Sequence, residues 1–143
     1  MRSCGTCTLC CRVLEVKEIS KPKDQWCQHC KPDKGCEIYE TRPKECQDFS
    51  CLWLGAPEPW HTALEGMKPN RVKFVLAWHD ANQVLQVHAD PGYPDKWKAF
   101  GKFFLSVGEQ LTVAVFTPKG VLGVGKFAQD RWKKEFDKVD KLS

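Results

Sequence analysis

The sequence predicts an α+β protein in two parts. An irregular cysteine-rich module, residues 1–54, is expected to pack on a small antiparallel sheet of about four strands in two hairpins with two helices, residues 55–143. Two observations support this division. All nine cysteines lie between Cys4 and Cys51. From residue 72 onward, apolar residues recur first with the period of a strand and then with the period of a helix. We expect the two parts to form one compact unit.

The first predicted hairpin covers residues 72–90, VKFVLAWHDANQVLQVHAD. A turn at residues 81–82 produces three cross-strand apolar pairs on one face: Phe74 with Ala89, Leu76 with Val87 and Trp78 with Leu85. This face is expected to be buried. His79 and His88 fall on the opposite face, where we expect them to be exposed.

An amphipathic helix is predicted in residues 94–111, with Asp95 as its N-cap. Its apolar positions recur at steps of three or four: Trp97, Phe100, Phe104, Val107 and Leu111. A second hairpin follows, turning at Pro118-Lys119, with four apolar residues on one face: Val113, Val115, Leu122 and Val124. A final helix is predicted in residues 128–142, because Trp132, Phe136 and Val139 share one side.

Composition limits the cellular context. The longest purely apolar stretch is Phe74 to Trp78, so no membrane span is predicted, and the N-terminus lacks the apolar segment of a secretory signal. We therefore expect a cytoplasmic protein and a monomer. Two zinc ions bound by eight thiolates would reduce the formal charge of +4 to about 0, so nucleic acid is not an expected partner. A protein partner remains an open possibility.

The cysteines indicate a metal site rather than disulfides, since their number is odd and the expected compartment is reducing. Cys-x-x-Cys pairs deliver two sulfurs from one turn to adjacent corners of a tetrahedron. Such pairs occur at Cys4/Cys7 and at Cys27/Cys30. The complete candidate ligand set is Cys4, Cys7, Cys10, Cys11, Cys27, Cys30, Cys36, Cys46 and Cys51.

The adjacent pair Cys10-Cys11 bears on the number of ions. Neighbouring side chains are expected to diverge, so the two thiols fit two sites better than one. Nine thiols suffice for two four-cysteine sites with one left over. We therefore predict two closely spaced ions, with one shared site as the alternative.

Two separated motifs carry a family resemblance. The segment CGTCTLCC, residues 4–11, matches a CxxCxxCC signature, and GCEIYETRPKECQDFSC, residues 35–51, matches a second block that contains Tyr39, Arg42 and Pro43. Over residues 4–54 the chain thus resembles the YkgJ-type cysteine-cluster family, described as a zinc- or iron-chelating domain. The resemblance implies a chelating set that includes Cys4, Cys7, Cys10, Cys11, Cys36 and Cys46. It implies nothing for residues 55–143.

Zinc is the predicted metal, because paired Cys-x-x-Cys units are typical of closed zinc sites. Iron or an iron–sulfur cluster is the alternative, since Cys4, Cys7 and Cys10 also have the spacing of a ferredoxin cluster run. No pairing of a nucleophile with a base is identifiable, so an enzyme is not the favoured hypothesis. A structural or partner-binding role is expected, with a redox role as the alternative and a nucleic-acid-binding zinc module as a third hypothesis.

Four further side chains lie in or near the cysteine segment: His29, Arg42, Trp53 and Trp60. His29 lies between two thiols and is interpreted as a loop residue that hydrogen-bonds a thiolate, with metal ligation as the alternative. Arg42 is interpreted either as a partner of the metal–thiolate cluster or as a surface residue. Trp53, together with Trp60, is expected to pack the cysteine module onto the second part.

The two parts are predicted to depend differently on metal. Ordering about fifty residues costs ~1–2 kcal/mol each for the backbone, and residues 1–52 have little periodic apolar sequence to offset that cost. A strong chelator, or the change Cys7→Ser, should therefore unfold this part and leave most of residues 72–142 folded, whereas His29→Ala should change little. Amide NMR spectra before and after chelation test this. Persisting dispersion for residues 4–51 after metal removal would contradict it.

Overall fold

The computed structural model describes residues 7–49, 51–79 and 83–124. The elements in chain order are α1 (Cys10–Val13), β1 (Cys30–Lys31), β2 (Gly35–Cys36), α2 (Lys44–Asp48), α3 (Leu52–Gly55), α4 (Trp60–Ala63), α5 (Pro69–Val72), β3 (Phe74–His79), β4 (Val84–Ala89), α6 (Gly101–Gly108), β5 (Thr112–Thr117) and β6 (Gly120–Val124). Three 3-10 turns lie at Lys17–Ile19, Tyr39–Thr41 and Lys96–Phe100. The predicted α+β class is confirmed. Within these ranges, no helix has the length and apolar character needed to cross a bilayer.

The main sheet has four strands in the order β3-β4-β5-β6. The outer pairs, β3 with β4 and β5 with β6, are antiparallel, but β4 and β5 run parallel. The prediction of a purely antiparallel sheet is therefore wrong. Residues 90–111, which include α6, lead from the end of β4 back to the start of β5, and such a helical crossover joins parallel strands.

The predicted registers of both hairpins are confirmed. Phe74 pairs with Ala89, Leu76 with Val87 and Trp78 with Leu85. In the second hairpin, Val113 pairs with Val124 and Val115 with Leu122. Trp78 nevertheless remains 36% exposed at the end of its strand, unlike its buried partner Leu85. The predicted turn at residues 81–82 lies outside the described residues.

The predicted helix is present as two pieces, the 3-10 turn Lys96–Phe100 followed by α6. Trp97 and Phe104 are fully buried against the sheet, and Phe104 packs edge-on against Phe74 with ring centroids 5.6 Å apart. Asp95 occupies the N-cap position but makes no capping hydrogen bond. Its carboxylate instead pairs with Lys98 at 3.0 Å. The final helix predicted in residues 128–142 lies outside the described residues.

The opposite face of the sheet is covered by the cysteine-rich segment. Val75, which points away from the main core, is fully buried in a second apolar cluster with Leu9, Val13, Cys51 and Trp53. This confirms that Trp53 packs the cysteine-rich segment onto the sheet. Trp60 packs against the main core. The sheet is thus covered on both faces, by the α6 side and by the cysteine-rich side.

An ion pair also joins the cysteine-rich segment to the sheet. Arg12 in α1 donates to Asp90 just after β4, with 3.0 Å between Nη1 and Oδ1. The same carboxylate oxygen accepts the backbone N–H of Gly92 at 2.8 Å. The Asp90 side chain is 8% exposed and that of Arg12 is 27% exposed, so this carboxylate holds α1 at the end of β4 from a largely buried position.

We predict that Asp90→Ala lowers the free energy of unfolding by about 2 kcal/mol, because it leaves a partly buried guanidinium and a backbone N–H without their acceptor. The matched control is Asp95→Ala, which removes the exposed pair with Lys98 and should cost less than about 0.5 kcal/mol. Urea denaturation of the two variants measures the difference. Equal losses would show that the Arg12–Asp90 pair contributes no more than a surface pair.

Candidate functional site

The first thiols of the site lie on a short helix that is fixed to a Cys-x-x-Cys turn. Cys10 and Cys11 begin α1. The backbone N–H of Cys27 donates to the carbonyl of Cys11 at 3.0 Å, and the N–H of Cys30 donates to the carbonyl of Cys27 at 3.0 Å. The sequence-distant segments around residues 11 and 27 therefore meet through a backbone hydrogen bond.

A two-stranded hairpin brings in the next thiols. Cys30 in β1 and Cys36 in β2 are directly paired. The turn between them is held by Thr8, whose hydroxyl accepts the backbone N–H of Asp33 at 2.9 Å. Thr8 is only 2% exposed, so its hydroxyl fixes the hairpin from inside the module. Nothing in the sequence indicates this role for Thr8, because a single threonine gives no distinguishing pattern.

The last two thiols sit at the starts of short helices. Cys46 lies in the first turn of α2, after Pro43, and its N–H donates to the Pro43 carbonyl at 2.9 Å. Cys51 immediately precedes α3 and is buried next to Trp53 and Val75. Cys51 and the start of α3 thus pack the last part of the cysteine-rich segment against the sheet.

These segments enclose one cavity of about 540 Å³. Seven cysteines line it: Cys7, Cys10, Cys11, Cys27, Cys36, Cys46 and Cys51. Apolar side chains that include Leu14, Phe49 and Val75 form much of the remaining wall. Cys30 reaches the set through a side-chain hydrogen bond with Cys11. Cys4 lies outside the described residues.

The proximity of the thiols changes their acidity. A hydrogen bond with Cys10, followed by burial, raises the pKa of the Cys11 thiol far above its usual range. Burial, followed by the neighbouring Cys11, raises the pKa of Cys30 to about 12. Burial also raises the pKa of Cys46, and the nearby thiols of Cys11, Cys27 and Cys36 add to the effect. Several thiolates could coexist here only if a cation compensated their charge.

Cys10 is the largest cause of the raised pKa of Cys11, so the two neighbouring thiols influence each other. The binding of two ions stays a prediction.

The donor set suits a thiophilic metal, although the sulfurs do not stand at coordination geometry. Throughout residues 7–49, 51–79 and 83–124, no group of three or more His, Cys, Asp or Glu side chains is arranged to hold a metal ion. The described cysteines also form no disulfide with one another. Thiolates are preferred ligands of zinc and of iron–sulfur clusters, so the chemistry of the cavity wall fits either group.

A buried lysine that belongs to no sequence motif donates to the backbone at the end of α1. Lys21 is 5% exposed, and its ammonium donates to the carbonyl of Arg12 at 2.9 Å and also to the carbonyl of Leu14. Burial lowers its pKa, whereas the thiols of Cys27 and Cys11 act in the opposite direction. A lysine in a charged loop normally indicates a solvated side chain, so the sequence offered no signal for this burial.

Arg42 combines features of both interpretations. Its guanidinium stacks over the exposed ring of Tyr39, 4.0 Å from the centroid, and its Nε donates to the Tyr39 carbonyl at 2.9 Å. Arg42 also lines the cavity, and its charge favours the Cys46 thiolate. The His29 ring contacts the Gln28 side chain at 3.2 Å and is not among the residues that line the cavity.

His88 differs from its predicted environment. It is 8% exposed and lines the cavity from the sheet, and His79 is half-buried, so the expectation that both are exposed is wrong. The reason is that the cysteine-rich segment covers this face. The His88 ring stacks on Phe116, with centroids 4.8 Å apart, and its Nε2 lies 3.1 Å from Oε1 of Gln86. Its buried Nδ1 has no hydrogen-bond partner among the described residues.

Comparison of the chain with protein-family models, with curated proteins and with solved structures finds no match. The resemblance to the YkgJ-type family therefore stays a prediction.

We predict that His88 makes stability fall on acidification. Burial, helped by the positive charge of Lys23, lowers its pKa from 6.5 to about 4, so the unfolded chain binds the proton more readily between these values. Its contribution to the free energy of unfolding should decrease by about 2 kcal/mol between pH 7 and pH 5. Urea denaturation of the wild type and of His88→Gln measures this, because the variant should lack that part of the decrease. An equal decrease in the free energy of unfolding of both proteins between pH 7 and pH 5 would contradict the prediction.

Proposed function

We propose that the protein chelates zinc through its cysteine cluster, binding two ions in a structural or partner-binding role. The observation that carries the proposal is the single cavity lined by seven thiols from segments as distant in sequence as Cys7 and Cys51. Packing alone gives no reason to gather so many thiols at one place. The predicted membership of the YkgJ-type family agrees with this function.

Metal binding would resolve the electrostatic conflict of the cavity. Each thiol that ligates zinc must lose its proton, yet burial and neighbouring thiols raise the pKa values of Cys11, Cys30 and Cys46. A divalent ion stabilises the thiolates and releases their protons, so its affinity increases with pH. Binding would also have to bring the sulfurs closer together, since no group of three ligands among the described residues is arranged to hold an ion.

The ligands would come from the nine cysteines, with Cys11 at the centre because it interacts with Cys10, Cys30 and Cys46. A closed four-thiolate zinc site has no open coordination position. The site would therefore stabilise the module and shape its surface rather than catalyse hydrolysis. Such thiols also need a reducing compartment, so we propose that the protein works in the cytoplasm.

An iron–sulfur cluster is the second candidate. The apolar portion of the cavity wall, with Leu14, Phe49 and Val75, would shield a cluster from water, and cavity size does not restrict the occupant to a single ion. The same thiols would then hold iron, and the protein would have a redox role.

We predict that protein purified without oxygen is colourless and contains about two zinc ions per chain. Elemental analysis together with absorption spectra checks this. The change Cys11→Ser should remove at least one ion, because it deletes the most connected thiol, whereas His29→Ala should leave the content unchanged. Brown protein with broad absorption near ~400 nm would favour the iron–sulfur function. Wild-type protein without either metal would reject both functions.

A further inference from the structure

The Lys21 side chain is held firmly in the interior of the module. Its backbone forms an isolated antiparallel bridge with Val16, through two hydrogen bonds of 3.0 Å. The side chain then returns to the end of α1, where its ammonium donates to the carbonyls of Arg12 and Leu14. With 5% of its surface exposed, the Lys21 residue has lost most of its contact with water. Backbone and side chain together fix the position of the charge.

Backbone contacts connect this position to two of the thiol-bearing residues. Arg12, whose carbonyl accepts from Lys21, directly follows Cys11, and the Cys11 carbonyl in turn accepts the N–H of Cys27. The groups whose negative charge would act on the ammonium are the thiols of Cys27, Cys11 and Cys10 in their ionised form and the carboxylate of Asp24. Three of these four groups are candidate metal ligands.

No ordinary counter-ion explains the buried charge. Asp24 forms its ion pair with Lys23, at 3.2 Å. Among the described residues, no carboxylate lies within ion-pair distance of Lys21. Two carbonyls stabilise an ammonium by their dipoles but carry no net charge, so a buried lysine in this setting lacks a formal negative partner.

A metal–thiolate centre would supply that partner. Zinc with four thiolates carries a net charge of about −2, and such a charge is costly in an apolar cavity. A fixed cation beside the thiolates reduces the cost, since Coulomb interactions are strong where water is excluded. Arg42 is a cation that lines the cavity itself, but it is only partly buried and stacks on exposed Tyr39. Lys21 does not line the cavity, but its ammonium donates to the carbonyl of Leu14, which does.

We propose that the Lys21 ammonium is the positioning charge of the thiolate site, which compensates the metal–thiolate centre and thereby increases its affinity for a divalent thiophilic metal. This inference rests on the proposed function. It goes further because it assigns the charge balance of the site to a residue outside the cysteine motifs. Lys21 touches the carbonyls rather than the metal, so it acts through the electrostatic field at the sulfurs.

Three variants separate charge from hydrogen bonding. Lys21→Met removes both, Lys21→Gln removes the charge and keeps a donor, and Lys21→Arg keeps the charge. We expect zinc affinity, measured by competition with a chromophoric chelator, to fall at least about tenfold in the Met and Gln variants and to be largely retained in the Arg variant. Lys17→Met, an exposed lysine of the same loop, is the matched control and should stay within about twofold of the wild type.

Denaturation with and without zinc covers the case of variants that fold poorly. If Lys21 acts through its charge, its loss must destabilise the zinc-loaded protein more than the metal-free protein. If Lys21 only caps the end of α1 through its hydrogen bonds to the Arg12 and Leu14 carbonyls, its loss destabilises both forms equally. Equal destabilisation, or wild-type affinity in Lys21→Gln, would overturn this inference while leaving zinc binding intact. A wild type that takes up no metal would instead overturn the proposed function on which the inference rests.

Discussion

The central sheet is buried on both faces, and this burial dictates where the surrounding segments lie. Along β3 (Phe74–His79), Phe74 and Leu76 enter the main core, while Val75 enters the second apolar cluster. A strand that alternates between two buried faces needs a covering layer on each side. The α6 helix and its preceding turn provide one layer, and the cysteine-rich segment provides the other. That segment is therefore a structural layer of the protein as well as a set of thiols.

The cavity follows from this arrangement. Segments that carry thiols are anchored at their ends, by Leu9 and Val13 on one side and by Cys51 and Trp53 on the other, all packed near Val75. The chain between these anchors has only short helices and a two-stranded hairpin, so it arches over the sheet and encloses the space lined by the thiols. The Arg12–Asp90 ion pair fixes the rim of this layer to the end of β4.

Charge balance links the cavity to its proposed occupant. The thiols resist ionisation because they are buried and close together, while a buried ammonium stands beside them without a formal counter-ion among the described residues. Each half of this arrangement is costly alone, and a cationic metal with thiolates would satisfy both. The proposed metal thus accounts for the crowded thiols, and the role assigned to Lys21 accounts for the buried ammonium.

Local patterns were enough to predict the α+β class, the two hairpin registers and the position of the helix after β4, because alternating apolar residues and turn chemistry act between near neighbours. The spacing of the cysteines likewise identified their segment as the candidate site. No local pattern specifies that β4 and β5 run parallel, since strand direction there depends on the path of the crossover through residues 90–111. The burial of Lys21 and His88 was likewise decided by tertiary packing, because a residue's burial depends on which distant segment covers it.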